Sequence, residues 1–289
     1  MSIVTGVMTV SDMMSPSALV THAQRVEGLG YESMWITDMF GREIYVTAGH
    51  LLANTSTIAV GTAIAHIYGR DHVESVQAAR TLSELSGGRF LQGIGVSHPI
   101  AAQMRGLAWE PPADKARDYL IAMKGPLPLN TPGNPPPVPV YLAAHGPKMM
   151  AVAAEFADGA MSYLQTPASC RASREILGPD KAFNLVLPTC LTTDPVVARA
   201  AGRRAISIYL PLPAYHRLWA RHGFDASDWS GTGSDRLVDA CLNWGDLDTI
   251  NARVEAFRQA GVTRVLLAAS PAAGSGSEWE LIEALAPPG

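Results

Sequence analysis

Short apolar runs alternate with segments of helical period along the whole chain. Ile3–Val10, Ser33–Thr37, Thr57–Ile64, Arg89–Val96, Val138–Ala144, Ala160–Leu164, Phe183–Thr192 and Arg264–Ala269 read as eight strands. They are brief and almost continuously apolar, as strands covered on both faces must be. Between them apolar residues return every three or four positions. Asp71–Leu85 brings Val73, Val76, Ala79 and Leu82 near one face, and Leu247–Gln259 runs up to Gly261. Helix boundaries carry their own signals. Ser15–Pro16 opens a helix that ends at Gly28–Gly30, Glu43–Ala53 follows the second strand, and Pro147–Ala157 has proline in its first turn. Asp194–Pro195 opens another, and Glu278–Ala286 is the last. Eight strands interleaved with helices predict an α/β fold, a closed (β/α)8 TIM barrel, as a single domain over residues 1–289.

Two stretches break the rhythm. Gly125–Val138 holds six prolines and reads as an extended connection. Residues 211–245 carry two prolines, four glycines and three tryptophans, and read as an irregular insertion late in the chain. No repeat of 20–50 residues is present.

Composition narrows the function. The chain has 289 residues, 47% hydrophobic and 17% charged, which is material for a large core. A formal charge of −4 without a basic run argues against nucleic acid as a partner. No run approaches the roughly 20 apolar residues of a membrane span. MSIVTGVMTV lacks the basic start of a secretory signal and reads as a first strand. Cys170, Cys190 and Cys241 are far apart and odd in number, so reduced thiols are expected. These features predict a soluble, cytoplasmic, enzyme-sized domain.

The most informative segment is Thr81–Pro99, TLSELSGGRFLQGIGVSHP. It reads as a helix end, a tight Ser-Gly-Gly turn, a buried strand and a glycine-bearing loop, with Gly93 and Gly95 leaving bare backbone for a ligand. VEGLGYESMWITD (Val26–Asp38), LLANTSTIAVGTAI (Leu51–Ile64), PVYLAAHGPKM (Pro139–Met149) and NARVEAFRQAGVTRVLLA (251–268) accompany it in order. Together they resemble the luciferase-like monooxygenase superfamily of flavin- and deazaflavin-dependent barrels. The Gly95–Pro99 loop, GVSHP, is similar to the subset using the deazaflavin coenzyme F420.

The resemblance implies a third strand ending in a bulge with a non-proline cis peptide, here Ala63–Ile64, against the middle ring of the cofactor. It implies cofactor phosphate held by the Gly95, Val96, Ser97 loop and by Ala144, His145, Gly146, Pro147 and Lys148. Independently, Gly146–Pro147–Lys148 opens a helix whose free N–H groups favour an anion. Asp38 would meet the ring or the substrate. Many deazaflavin relatives carry a proton-donating histidine next, where this chain has Met39. His66, Tyr68, His98 and His145 follow strand ends and are the substitutes, with Asp38, His66 and His98 the leading catalytic set. Arg42, Arg70 and Lys148 could meet an acidic cofactor tail.

Other readings are weaker or remain open. His66 and His72 lack clustered carboxylate or thiol partners, so no metal is expected. Gly93-Ile-Gly95-Val-Ser-His98 has histidine where a dinucleotide fingerprint needs its third glycine. The function expected is hydride transfer between F420 and a small organic substrate. An FMN-dependent monooxygenase and a non-catalytic cofactor-binding barrel are the alternatives. Family barrels pair through helices beside the second and third strands, where Ile44, Val46, Leu51, Leu52, Val73 and Val76 supply apolar residues for a homodimer.

Overall fold

The computed structural model describes residues 4–127, 129, 132–271 and 278–287. Its strands are β1 (Val4–Thr9), β2 (Ser33–Ile36), β3 (Ala59–Thr62), β4 (Ala65–His66) and β5 (Phe90–Gly95), then β6 (Val140–Ala143), β7 (Gly159–Tyr163), β8 (Ala182–Leu191), β9 (Asn243–Gly245) and β10 (Arg264–Ala269). Eight of them close in the order β1-β2-β3-β5-β6-β7-β8-β10, with β10 returning to β1 and every pairing parallel. Helices cover the outside. This is the (β/α)8 TIM barrel that the alternation predicts. Two short strands are additions: β4 resumes the path of β3, and β9 pairs with the last residues of β8.

The barrel interior is filled, not hollow. Trp35 is fully buried there with Tyr141, Met161, Val186, Leu266 and Ala268, and Ala63 and Ile64 rest on this plug. A Cβ on Gly61 would lie 2.3 Å from the Trp35 ring, so the indole takes the space that β3 leaves free. Ligands are thereby confined to the barrel ends.

The SGGRF segment turns out to be a staple. Gly87 (φ +65°) closes the helix His72–Ser86 in the left-handed conformation. Arg89 then donates to the carbonyls of Leu52 (2.8 Å), Ile58 (2.9 Å), Thr55 (3.2 Å) and Ser86 (3.1 Å). One planar guanidinium ties the end of the helix Ile44–Ala53 to the strand that follows it.

Several expectations change. The buried face of helix His72–Ser86 is Ser75, Ala79, Leu82 and Ser83, and Val73 points outward at 36% exposure. The cause is a buried polar cluster, in which Gln92 Nε2 donates to Tyr45 Oη (2.8 Å) and Ser75 Oγ (2.9 Å) and so draws a serine inward. Ile44, Leu51 and Leu52 belong to the chain's own core. Of the apolar residues assigned to subunit pairing, only Val46 and Val73 are exposed.

Helices Pro99–Gln103, Pro112–Met123 and Pro167–Leu177 occupy segments where no helix was expected. The insertion is more regular than its composition suggests. It contains helices Pro213–Ala220, Ala226–Trp229 and Asp235–Cys241 around a second core that includes Leu164, Trp219 and Leu237. Each is too short to show a period; packing holds all three, and Asp225 and Ser234 cap the last two. All three cysteines are free and buried. Among the described residues no helix is long and apolar enough to cross a membrane.

The Arg89 staple gives a stability prediction. Arg89→Lys cannot reach four carbonyls at once, so it should cost about 2–4 kcal/mol, measured by urea unfolding.

Candidate active site

The C-terminal ends of the barrel strands come together at one mouth, and a break in β3 shapes it. After Thr62 the strand leaves its ladder, and the Thr62 hydroxyl replaces the missing pairing. Thr62 Oγ1 donates to Gly93 O (2.7 Å) and accepts from Gly93 N (2.9 Å). A Cβ on Gly93 would sit 1.9 Å from Thr62 O, so only glycine admits this approach. The Ala63–Ile64 peptide is cis, at the position implied by the resemblance. Pairing resumes with Ala65 beside Ile94 and His66 beside Gly95. A Cβ on Gly95 would meet Ala143 and Ile64 at 2.8 Å. The space beside both glycines is therefore filled by protein, and the bare-backbone reading is corrected.

The polar centre lies between β2 and β4. Asp38 is 8% exposed, and its Oδ2 accepts from His66 N (3.3 Å). The same oxygen is 3.7 Å from Arg70 Nη1 and 3.9 Å from His66 Nδ1. Burial pushes the His66 pKa down to about 4, with Arg105, Arg70 and His98 adding to the effect and Asp38 opposing it. Thr37 Oγ1, His66 Nδ1 and Arg70 Nη1 are buried without a hydrogen-bond partner. A neutral imidazole beside a carboxylate is equipped to accept a proton. Phe40, held at φ +68°, packs with its ring tilted 56° to His66 and 5.3 Å from it. A bulky residue rarely adopts that backbone conformation, and such residues cluster at functional sites.

The opposite side is built from the ends of β5, β6 and β7. Ser97 (φ +60°) and Leu164 (φ +54°) also adopt left-handed backbone there. His145 Nδ1 is 3.4 Å from Gln165 Nε2, and its Nε2 is 3.4 Å from Tyr215 Oη. Burial pushes His145 down to about 4, with a further contribution from His98, and burial lowers His98 as well. Tyr215 packs against both rings, 6.1 Å from His98 and 5.0 Å from His145. Tyr209 joins them from the insertion. Sequence reasoning missed this aromatic wall, because its residues lie in a segment without a readable pattern.

Gly146 caps the helix Pro147–Phe156, with Pro147 in the first turn. A Cβ on Gly146 would be 3.1 Å from Arg221 Nη1. Arg221 and Lys148 are exposed, and neither has a hydrogen bond or ion pair among the described residues. Arg221 too was missed, since the chain folds it back from far downstream. The other expected cations are spoken for. Arg70 pairs with Glu43 and Asp38, and Arg42 donates to the Ser11 and Met14 carbonyls. Tyr68 stacks on Trp109 and accepts from Glu110 N (2.8 Å). Among the described residues no three His, Cys, Asp or Glu side chains cluster as metal ligands. A cavity of about 390 Å³ lined by Gln92, Val140 and Lys181 opens at the other end of the barrel and contains none of these residues.

The luciferase-like monooxygenase family matches residues 1–264, and the chain belongs to that family. It is similar to the 5,10-methylenetetrahydromethanopterin reductase of Methanolobus tindarius, 25% identical over 86% of this chain and 89% of the relative. Its fold matches the coenzyme F420 dependent tetrahydromethanopterin reductase from Methanopyrus kandleri with TM-score 0.80, 20% identity, and 99% and 98% coverage. It also matches the FMN complex of the oxygenating constituent of 3,6-diketocamphane monooxygenase from Pseudomonas putida. That TM-score is 0.73, with 15% identity over 99% and 97% of the two chains.

The buried histidines give a pH prediction. His22, His66 and His145 all titrate near 4 in the fold against 6.5 when exposed. The unfolded chain therefore binds more protons between those values, and stability falls as pH drops through that window. Three such groups give a slope of about 3–4 kcal/mol per pH unit near pH 5. Denaturant unfolding across pH 4–7 should show it, and His145→Asn should remove about a third of the slope.

Proposed function

We propose that the protein is a coenzyme F420-dependent oxidoreductase that moves a hydride between the deazaflavin and a small organic substrate. The observation that carries this reading is the two-sided mouth. A rigid shelf at Ala63–Ile64 backs onto the filled barrel, and a helix start with two unpaired cations stands across from it. A flat ring with an anionic chain needs both. The fit is supported by the Gly146 cradle, which a side chain would close onto Arg221, and by the buried, unpartnered Gln165 Oε1 beside His145. The F420-dependent relatives support the cofactor assignment.

When bound, the deazaflavin supplies a carbon centre that exchanges hydride and not single oxygen-activating electrons. The chain does the rest. Ala63, Ile64 and Val96 would hold the ring, and the Gly95 and Ser97 backbone would flank the side chain. The Ala144–Lys148 segment with Arg221 would bind the phosphate through free N–H groups and positive charge. Asp38 and His66 manage the proton at the substrate, with His98 at the far wall. The neutral His66 would accept a proton as substrate is oxidised, and Asp38 would stabilise the imidazolium so formed.

A second reading, FMN-dependent monooxygenation, is favoured by the FMN-containing structural neighbour. Titration of the purified protein with each cofactor separates them. F420 should bind at least tenfold more tightly than FMN, and binding should weaken with salt. Arg221→Ala and Gly146→Val should each weaken F420 binding about tenfold, roughly 1.4 kcal/mol, without loss of fold. Tight FMN binding with no spectral response to F420 overturns the reading.

A further inference from the structure

The mouth is lopsided, and the side away from Lys148 and Arg221 is greasy. Met13, Met39, Phe40, Ile100, Met104 and Leu107 stand on the segments after β1, β2 and β5, each between 45 and 85% exposed. These segments form one continuous rim. Arg42 of the β2 loop donates to the Ser11 carbonyl of the β1 loop (2.8 Å). Arg105, beyond β5, lies over the Phe40 ring (5.3 Å), and Phe40 in turn packs against His66. The rim therefore ends at the Asp38–His66 pair.

Carboxylates outnumber arginines on the segments after β1, β2, β4 and β5: Asp12, Asp38, Glu43, Asp71 and Glu110 stand against Arg42, Arg70 and Arg105. Each arginine is already engaged: Arg42 by main-chain carbonyls, Arg70 by Glu43 and Asp38, and Arg105 by the Ala101 carbonyl (2.9 Å). A carboxylate or phosphate on a substrate would meet that excess of negative charge, Asp12 and Asp38 included. An uncharged apolar group instead gains by covering exposed methionine and phenylalanine surface.

We infer that the substrate is an uncharged, largely apolar molecule whose hydrocarbon part lies on the Met13–Phe40–Met104 rim while its reacting carbon is presented beside Asp38 and His66. The inference rests on the cofactor reading above and deepens it by naming the substrate class.

Calorimetric titration with 2-alkanols from 2-butanol to 2-octanol, on the protein alone and loaded with F420, tests it. Affinity should rise about fourfold per methylene. The carboxylated analogue 7-hydroxyoctanoate should bind at least tenfold more weakly than 2-octanol. Replacing the exposed pair Met39→Ser and Met104→Ser should weaken 2-octanol tenfold and leave F420 affinity unchanged. Leu85→Ser, exposed at the other end of the barrel, should change neither. A flat chain-length series overturns the inference, as does 7-hydroxyoctanoate binding as tightly as 2-octanol. Conversion of a dimer to a monomer by the rim substitutions, seen by sedimentation, also overturns it, because the rim would then be covered by a second copy. Failure of F420 to bind counts against the cofactor reading alone, since the alkanol series on the unloaded protein still decides the rim.

Discussion

The contact between Thr62 and Gly93 is the constraint on which the site depends. At that point β3 must stop pairing with β5, yet the barrel must stay closed. One hydroxyl meets both backbone groups of Gly93, at 2.7 and 2.9 Å, while the Thr62 carbonyl occupies the place of the absent Cβ. The chain can then turn through Ala63–Ile64 without leaving the Gly93 amide orphaned in the interior. Because β4 re-pairs immediately, His66 is delivered to Asp38 by backbone register and not by side-chain reach. A loosened Thr62 would displace the shelf and the imidazole together.

Much of this architecture was legible before any coordinates. The strand run and its helix stops define the barrel, and the Ser15 and Asp194 caps sit where their side chains accept the first-turn N–H groups. What could not be read follows physical lines. The glycines at 93 and 95 advertise close approach, but a sequence does not say whether ligand or protein approaches. Arg89 looks like a surface charge and is a staple, since its partners are carbonyls of residues 31–37 positions away. The left-handed conformations of Phe40, Ser97 and Leu164 leave no compositional mark, because none is glycine. Arg221 and Tyr215 reach the site from an insertion whose short helices are specified by packing.

The two halves of the mouth also differ in how they treat charge. On the β6 side, cations are exposed and unpaired beside a helix start. On the β2 side, Arg70 pairs with Glu43 and Asp38, and Arg42 is held by main-chain carbonyls. Such an arrangement orients a ligand that is itself polarised, with one anionic end and one neutral end, before any specific hydrogen bond forms.

The insertion forms a roof over the β5–β7 side, and its fastening has a consequence for the site. The last residues of β8 extend beyond the barrel to pair with β9, so roof and barrel share one strand. Arg253 donates to the Asp239 carbonyl (2.7 Å), and Arg199 bridges Asp235 (2.8 Å) and Asp239 (2.7 Å). The aromatic wall is thus carried by an element tied to the barrel, and Tyr215 keeps its place beside His98 and His145 through β8 and not through a free loop.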